Sequence, residues 1–212
     1  MNTLRAAAAA FLLAFAPASL AQHPPVSGRE FQELSPPHPV STGERIEVLE
    51  FFYYGCPVCY EAQPHVARWL MRAGPGVSLL RVPAAFTESS ESFARTFYAL
   101  SEMSQIARLH WPIYDNHHFD GKQLNEEKNI VAWVAANGVD KDRFVQLWHS
   151  PEIQAKVASA KQALDDYHVK GVPSFVIDGK YITSARMAGG TKEMMAVVDY
   201  LVERAARERP KK

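Results

Sequence analysis

The chain has 212 residues with 23 basic and 23 acidic side chains, so its formal net charge is zero. That balance excludes a protein that gathers nucleic acid or an anionic membrane surface by bulk charge. Hydrophobic residues make up 47% of the chain, ample for a packed core, and no apolar run of about 18 residues lies beyond the amino-terminal segment, so no membrane-spanning helix is expected in the mature protein.

Residues 1–21 have the pattern of an export signal. Arg5 supplies the positive start, Ala6 to Ala16 the apolar stretch, and Ser19-Leu20-Ala21 a small-x-small cleavage site, leaving Gln22 as the new amino terminus. Export implies an oxidising compartment, where disulfides form and persist. His23-Pro24-Pro25 and Ser35-Pro36-Pro37-His38-Pro39 lack the donors of central strands. Arg29 to Leu34, between them, is either a short edge strand or an extended linker.

Ile46 to Tyr53 scarcely alternates, which is the mark of a strand buried on both faces. Glu50 is the anomaly in it: a carboxylate there is paired, protonated or at the mouth of a site. Its place six residues before Cys56 favours a role beneath the cysteines. Gly55 then turns the chain into Cys56-Pro57-Val58-Cys59, the only two cysteines present. Pro57 suits the first position of a helix, since its missing N–H would lack a partner there. Cys56 becomes the N-cap, and free backbone N–H groups and the positive helix end favour its thiolate. Cys59, one turn on, is within disulfide reach.

Three readings of the pair compete. A structural disulfide would close a very small loop and be a weak staple. Half a zinc site would need more ligands, and no His-x-x-x-His partner appears. A redox pair needs only two sulfurs and an activating helix end, and it is the preferred reading.

The helix runs from Pro57 to Ala73, with Cys59, Ala62, Val66, Leu70 and Ala73 on one face and an expected kink at Pro64. Gly74-Pro75-Gly76 ends it. Val77 to Val82 is a second strand, giving a parallel strand–helix–strand unit. Residues 87–164 then read as helical: one helix from Thr87 to about Leu109, one capped by Asn125 and closed at Gly138, one capped by Asp140, and one opened by Ser150-Pro151. His117-His118 is expected in a loop and, like the other histidines, is assigned to the surface or core rim rather than to a metal. Sheet character returns from Phe175 to Thr183 around the Asp178-Gly179 turn. Thr191 is expected to cap a last helix, followed by a solvated, frayed tail from Arg207 to Lys212.

Cys-Pro-x-Cys after Val48-Leu49-Glu50-Phe51-Phe52, a helical insert, then Gly171-Val172-Pro173-Ser174-Phe175 and Gly179-Lys180-Tyr181 together resemble the DsbA family, the periplasmic thiol:disulfide interchange proteins of bacteria. The resemblance spans nearly the whole mature chain. It implies an α/β, thioredoxin-like fold made of residues 22–86 and 165–212, with residues 87–164 as an inserted helical subdomain. It implies Cys56 as the exposed nucleophile, Cys59 as the resolving thiol, and a redox-active Cys56–Cys59 disulfide with no other cofactor and no metal. Pro173 matches the family's cis-proline facing the disulfide, with the backbone at Val172 pairing with an extended substrate. Glu50 matches the buried acid that moves protons near the second sulfur, and Arg81 falls where some members pair that acid with lysine. Val58 departs from the best-known members, which have His there; a valine cannot add an imidazolium charge beside Cys56.

The function implied is a monomeric periplasmic oxidase. It would pass its disulfide to reduced, unfolded exported proteins and be reoxidised by a DsbB-type membrane quinone reductase. A periplasmic isomerase or reductase on the same fold is the first alternative, against which stands the lack of a dimerisation domain before the first strand. A metal carrier using both thiols and a histidine is the second.

Overall fold

The computed structural model describes residues 23–210, so the export signal proposed for residues 1–21 lies outside the described residues. Five strands form one sheet in the order β1-β5-β4-β2-β3. They are β1 (Gln32–Glu33), β2 (Ile46–Phe52), β3 (Val77–Pro83), β4 (Ser174–Ile177) and β5 (Tyr181–Ser184). Only β2 and β3 are parallel, and their register sets Glu50 beside Arg81. The other pairings are antiparallel. Every residue of β2 is buried, as its apolar run requires of a central strand.

Helix α1 (Pro57–Ala73) and the last helix, α8 (Thr191–Glu208), share one face of the sheet. Val48, Phe175 and Ile177 from the sheet meet Val66 and Trp69 of α1 and Met194, Val198 and Leu201 of α8. Trp69 is fully enclosed there, and its indole N–H donates to Asp199 of α8 at 3.2 Å. The opposite face, built on Leu49, Phe51 and Val176, is closed by Leu164, Val169 and the ring of Tyr167. The α/β, thioredoxin-like reading of the sequence therefore describes the structure.

Between β3 and β4 lie α2 (Glu88–Glu102), α3 (Ile106–His118), α4 (Glu127–Ala136), α5 (Lys141–Trp148) and α6 (Pro151–Asp166). Their shared core is aromatic, with Phe93, Phe97, Tyr114, Trp133, Phe144 and Trp148. Phe52 and Tyr54, from the end of β2 and the turn after it, enter the same cluster, and so does Cys59. The stretch that carries the cysteines thus joins the sheet to the helices.

Several expectations need correction. Thr87 to Leu109 is not one helix. Thr87 does cap α2, but the helix stops at Met103, where Ser104 takes φ 57 and Gln105 N–H bonds back to Leu100. A left-handed residue that is not glycine leaves little trace in a sequence. The break lets α3 run on through Pro112, so His117 and His118 occupy its last turn rather than a loop. His110 is not at the rim but buried. Asn125 does not cap α4; Glu126 stands at the N-cap without a side-chain capping bond. Thr191 is the first residue of α8 rather than its cap, because its hydroxyl donates to Glu61 of α1 at 3.1 Å. A short helix α7 (Ala185–Ala188), capped by Ser184, was not foreseen. The edge-strand alternative holds for Gln32 and Glu33, which pair with β5.

The tail is less free than expected. α8 continues to Glu208, and the Arg209 guanidinium holds both oxygens of buried Asp178 and the carbonyls of Gly43 and Glu44. The Asp178-Gly179 turn is itself constrained. Gly179 has φ +64, and a Cβ there would strike the carbonyl of His38, so only glycine permits the close approach.

Candidate active site

The site begins where β2 ends. Cys56 N–H donates to Tyr53 C=O at 3.0 Å, closing the turn. Gly55 lies under the ring of Tyr53, and a Cβ at that position would overlap the ring. The chain then enters α1 with Cys56 at the N-cap in extended geometry and Pro57 as the first helical residue. Cys59 N–H donates to Cys56 Sγ at 3.4 Å, and Cys56 Sγ faces Val172 C=O at 3.5 Å. The Val172-Pro173 peptide bond is cis, and Ser35-Pro36 is cis as well. Both cysteines are free thiols; Cys56 is half-buried and Cys59 fully buried.

The two sulfurs are held in opposite protonation states. The Cys59 thiol, donating to Cys56, is the largest influence on Cys56; burial opposes it, and the N–H groups of Cys59 and Val58 reinforce it. Together they lower the Cys56 pKa from an ordinary 9.0 to about 6. Burial first, then the hydrogen bond to Cys56 and its negative charge, pushes Cys59 well above the ordinary thiol range. One sulfur is a thiolate at neutral pH while its partner keeps a proton to donate.

Beneath the pair, Glu50 is completely buried. Its Oε1 accepts from Gln63 Nε2 at 2.9 Å and its Oε2 from Arg81 Nε at 2.9 Å. Of the three states allowed by the sequence, the carboxylate is in the paired one. Burying it without a partner would be strongly unfavourable, and the β2–β3 register supplies one.

Sequence reasoning did not place Gln63, Tyr60, His118 or His110 at this site. Gln63 sits one turn after Cys59 on the same face of α1, a spacing that could have marked it. His118 Nε2 donates to Tyr54 C=O at 2.7 Å while its ring stacks on Tyr60, the residue after Cys59, with centroids 5.0 Å apart. Tyr60 also stacks on Trp111 and donates to Asp115 Oδ1 at 2.8 Å. His110, kept neutral by burial and then by the charge of Arg81, meets the Tyr54 hydroxyl at 2.8 Å. Tyr54 holds its proton, because burial raises its pKa well above the ordinary value. Only the fold brings α3 to this turn, and no local pattern announces it. Among the described residues, no group of three or more His, Cys, Asp or Glu side chains is arranged to hold a metal ion.

An attacking thiolate and a proton-bearing partner within reach of it serve thiol–disulfide exchange, and the sheet with α1 and α8 on one face is the thioredoxin arrangement. The molecule is of the class of thioredoxin-fold thiol:disulfide oxidoreductases. Comparison with known proteins narrows the class. A family model described as a DSBA-like thioredoxin domain matches residues 70–202, beginning after the cysteines. The thiol:disulfide interchange protein DsbA of Azotobacter vinelandii is 35% identical over 176 residues, 83% of this chain and 82% of the relative. DsbA of Pseudomonas syringae pv. tomato is 32% identical over 207 residues, 97% of each chain. The crystal structure of Pseudomonas aeruginosa DsbA superposes with TM-score 0.79 at 35% identity, covering 86% of this chain and 96% of that one. That of Xylella fastidiosa DsbA gives TM-score 0.81 at 26% identity, covering 87% and 100%. The chain belongs to the DsbA family.

Alkylation of reduced Cys56 is expected to be half-maximal near pH 6, its thiolate being lost as pH falls through that value. Removing the donating thiol, Cys59→Ala, is expected to move the midpoint upward, as read by ultraviolet thiolate absorbance against pH; an unmoved midpoint would remove Cys59 from the account. Arg81→Leu leaves the Glu50 carboxylate buried with Gln63 as its remaining hydrogen-bond donor. It is expected to lower unfolding stability by about 3 kcal/mol in a urea titration, since breaking a buried pair costs about 3–5 kcal/mol and Arg81 is partly solvated. Glu50→Leu combined with Arg81→Leu should recover part of the loss.

Proposed function

We propose that the protein is a periplasmic dithiol oxidase that donates a Cys56–Cys59 disulfide to newly exported proteins. The observation that carries this reading is the Cys56 pKa of about 6 beside a Cys59 held as a thiol. A substrate thiolate attacks Cys56 Sγ of the oxidised pair. The Cys56–Cys59 bond breaks, a mixed disulfide forms, and Cys59 leaves as a thiolate that takes a proton. Glu50 is the group that passes this proton, with Arg81 and Gln63 fixing its orientation. A second substrate thiolate attacks the substrate sulfur of the mixed disulfide and expels Cys56 as a stable thiolate. The substrate loses two electrons and two protons and gains one disulfide; the enzyme gains the two electrons as a dithiol. Cys56 is the better leaving group because its thiolate is the more stable of the two.

The loop at Val172 and Pro173 is the docking edge. Its backbone offers an extended substrate the pairing of an added strand beside Cys56, which faces the Val172 carbonyl. Residues 1–21 are read as the export signal and residues 87–164 as an inserted helical subdomain on the domain formed by 22–86 and 165–212. Reoxidation is assigned to a DsbB-type membrane quinone reductase, with the redox-active disulfide as the sole cofactor and a monomer as the working unit.

Thiolate stabilisation favours the reduced enzyme and so makes the disulfide more oxidising, by roughly 30 mV for each unit by which the pKa falls below ambient pH. At pH 7 the value of about 6 therefore contributes roughly 30 mV. Val58 adds no charge to this. Val58→His is expected to lower the Cys56 pKa further and raise the reduction potential, measured by equilibration with glutathione; no change in either would refute the electrostatic account. The function itself is tested by refolding a reduced, denatured disulfide protein with catalytic amounts of the oxidised enzyme. Wild type should accelerate the return of activity and Cys56→Ser should not; equal rates from both would discard the reading.

A further inference from the structure

A groove of about 670 Å³ opens at the docking loop and is lined by Val58, Val172, Pro173 and Met187. Its ionisable lining is uneven. Lys170, on the loop before the cis-proline, and Arg186, on α7, are exposed and make no hydrogen bond or ion pair with any described residue. Elsewhere the cations are often engaged: Lys156 with Glu102, Lys161 with Glu91, Arg204 with Glu33 and Glu208, and Arg209 with Asp178. The groove's one carboxylate, Glu61, accepts the Thr191 hydroxyl at 3.1 Å, and His168 stands in the same wall. Two fixed positive charges thus face an open groove against a single anion.

A strand docked at Val172 with its cysteine on Cys56 points alternate side chains to opposite sides, so the side chains near the cysteine on the groove's side of the strand lie over the groove. There the two cations meet no competing protein partner. We propose that the groove selects substrate segments carrying Asp or Glu beside the reacting cysteine, and that Lys170 and Arg186 determine this specificity. This rests on the oxidase reading above and adds to it a preferred class of substrate.

The test uses the oxidised enzyme and three single-cysteine peptides whose flanking residues are glutamates, serines or lysines. The rate of mixed-disulfide formation is divided by the rate of the same peptide with hydroxyethyl disulfide, a neutral reagent, which removes the effect of the flanks on the peptide's own thiol. Wild type should favour the glutamate peptide over the lysine peptide by about tenfold at low salt, and the preference should shrink in high salt. Lys170→Glu with Arg186→Glu should invert the ratio, and Lys170→Gln with Arg186→Gln should flatten it. Equal normalised rates for wild type, or a preference that survives both double variants, would overturn the proposal while leaving the oxidase reading intact. Failure of wild type to react with even the serine peptide would overturn both.

Discussion

The hydrogen bond from Cys59 to Cys56 is the interaction on which the site turns. It requires a fully buried second sulfur, a half-buried first one, and a helix that starts between them. Each requirement traces to the chain. The apolar run of β2 drives Cys56 to the end of a central strand, Gly55 makes room under Tyr53, and Pro57 starts the helix without a stranded N–H. Cys59 then falls one turn on, facing the aromatic core. The asymmetry of the two thiols is a product of packing as much as of charge, since burial is the largest influence raising Cys59 while the bond it donates lowers Cys56.

The second constraint is the carboxylate below. Glu50 occupies the boundary between two cores: Val48, two residues before it, packs with α1 and α8, and Phe52, two residues after it, packs with the helical tract. A charged group at such a seam survives because β3 presents Arg81 in register and α1 presents Gln63. Both partners come from the first strand–helix–strand unit, so the polar centre is assembled by a local piece of chain. The remaining wall, the Val172-Pro173 loop, comes from more than a hundred residues later and is delivered by β4 pairing with β2.

This division explains what could be read in advance. β2, α1, β3 and the β4–β5 hairpin follow from periodicity, capping and turn chemistry, and the cysteines, Glu50 and Pro173 stand at positions those elements define. The helical tract was legible as helices but not as an arrangement. Its first break rests on Ser104 in a conformation more often left to glycine, and Asn125 within it, like Thr191 at the start of α8, had the chemistry of a cap without the geometry. The approach of His118 and His110 to the active-site turn depends on α3 folding back, a long-range contact with no local signature. The grip of Arg209 on Asp178 was hidden for the same reason, since a basic tail looks the same whether anchored or loose.

The depressed acidity constant of Cys56 has a counterpart in cohesion. The folded chain holds that thiolate more favourably than an unfolded chain would, and it does so only after the sulfur–sulfur bond has opened. The gain is complete above the ordinary thiol value of 9.0 and disappears as pH falls through about 6; at neutrality it is at most about 1.4 kcal/mol, and solvent around the half-buried sulfur screens it below that. The bond lost in exchange closes only a very small loop and constrained the chain little. Opening the bond therefore loosens the chain less than the loss of a cross-link would suggest, because the charge gained at one sulfur offsets much of the lost constraint.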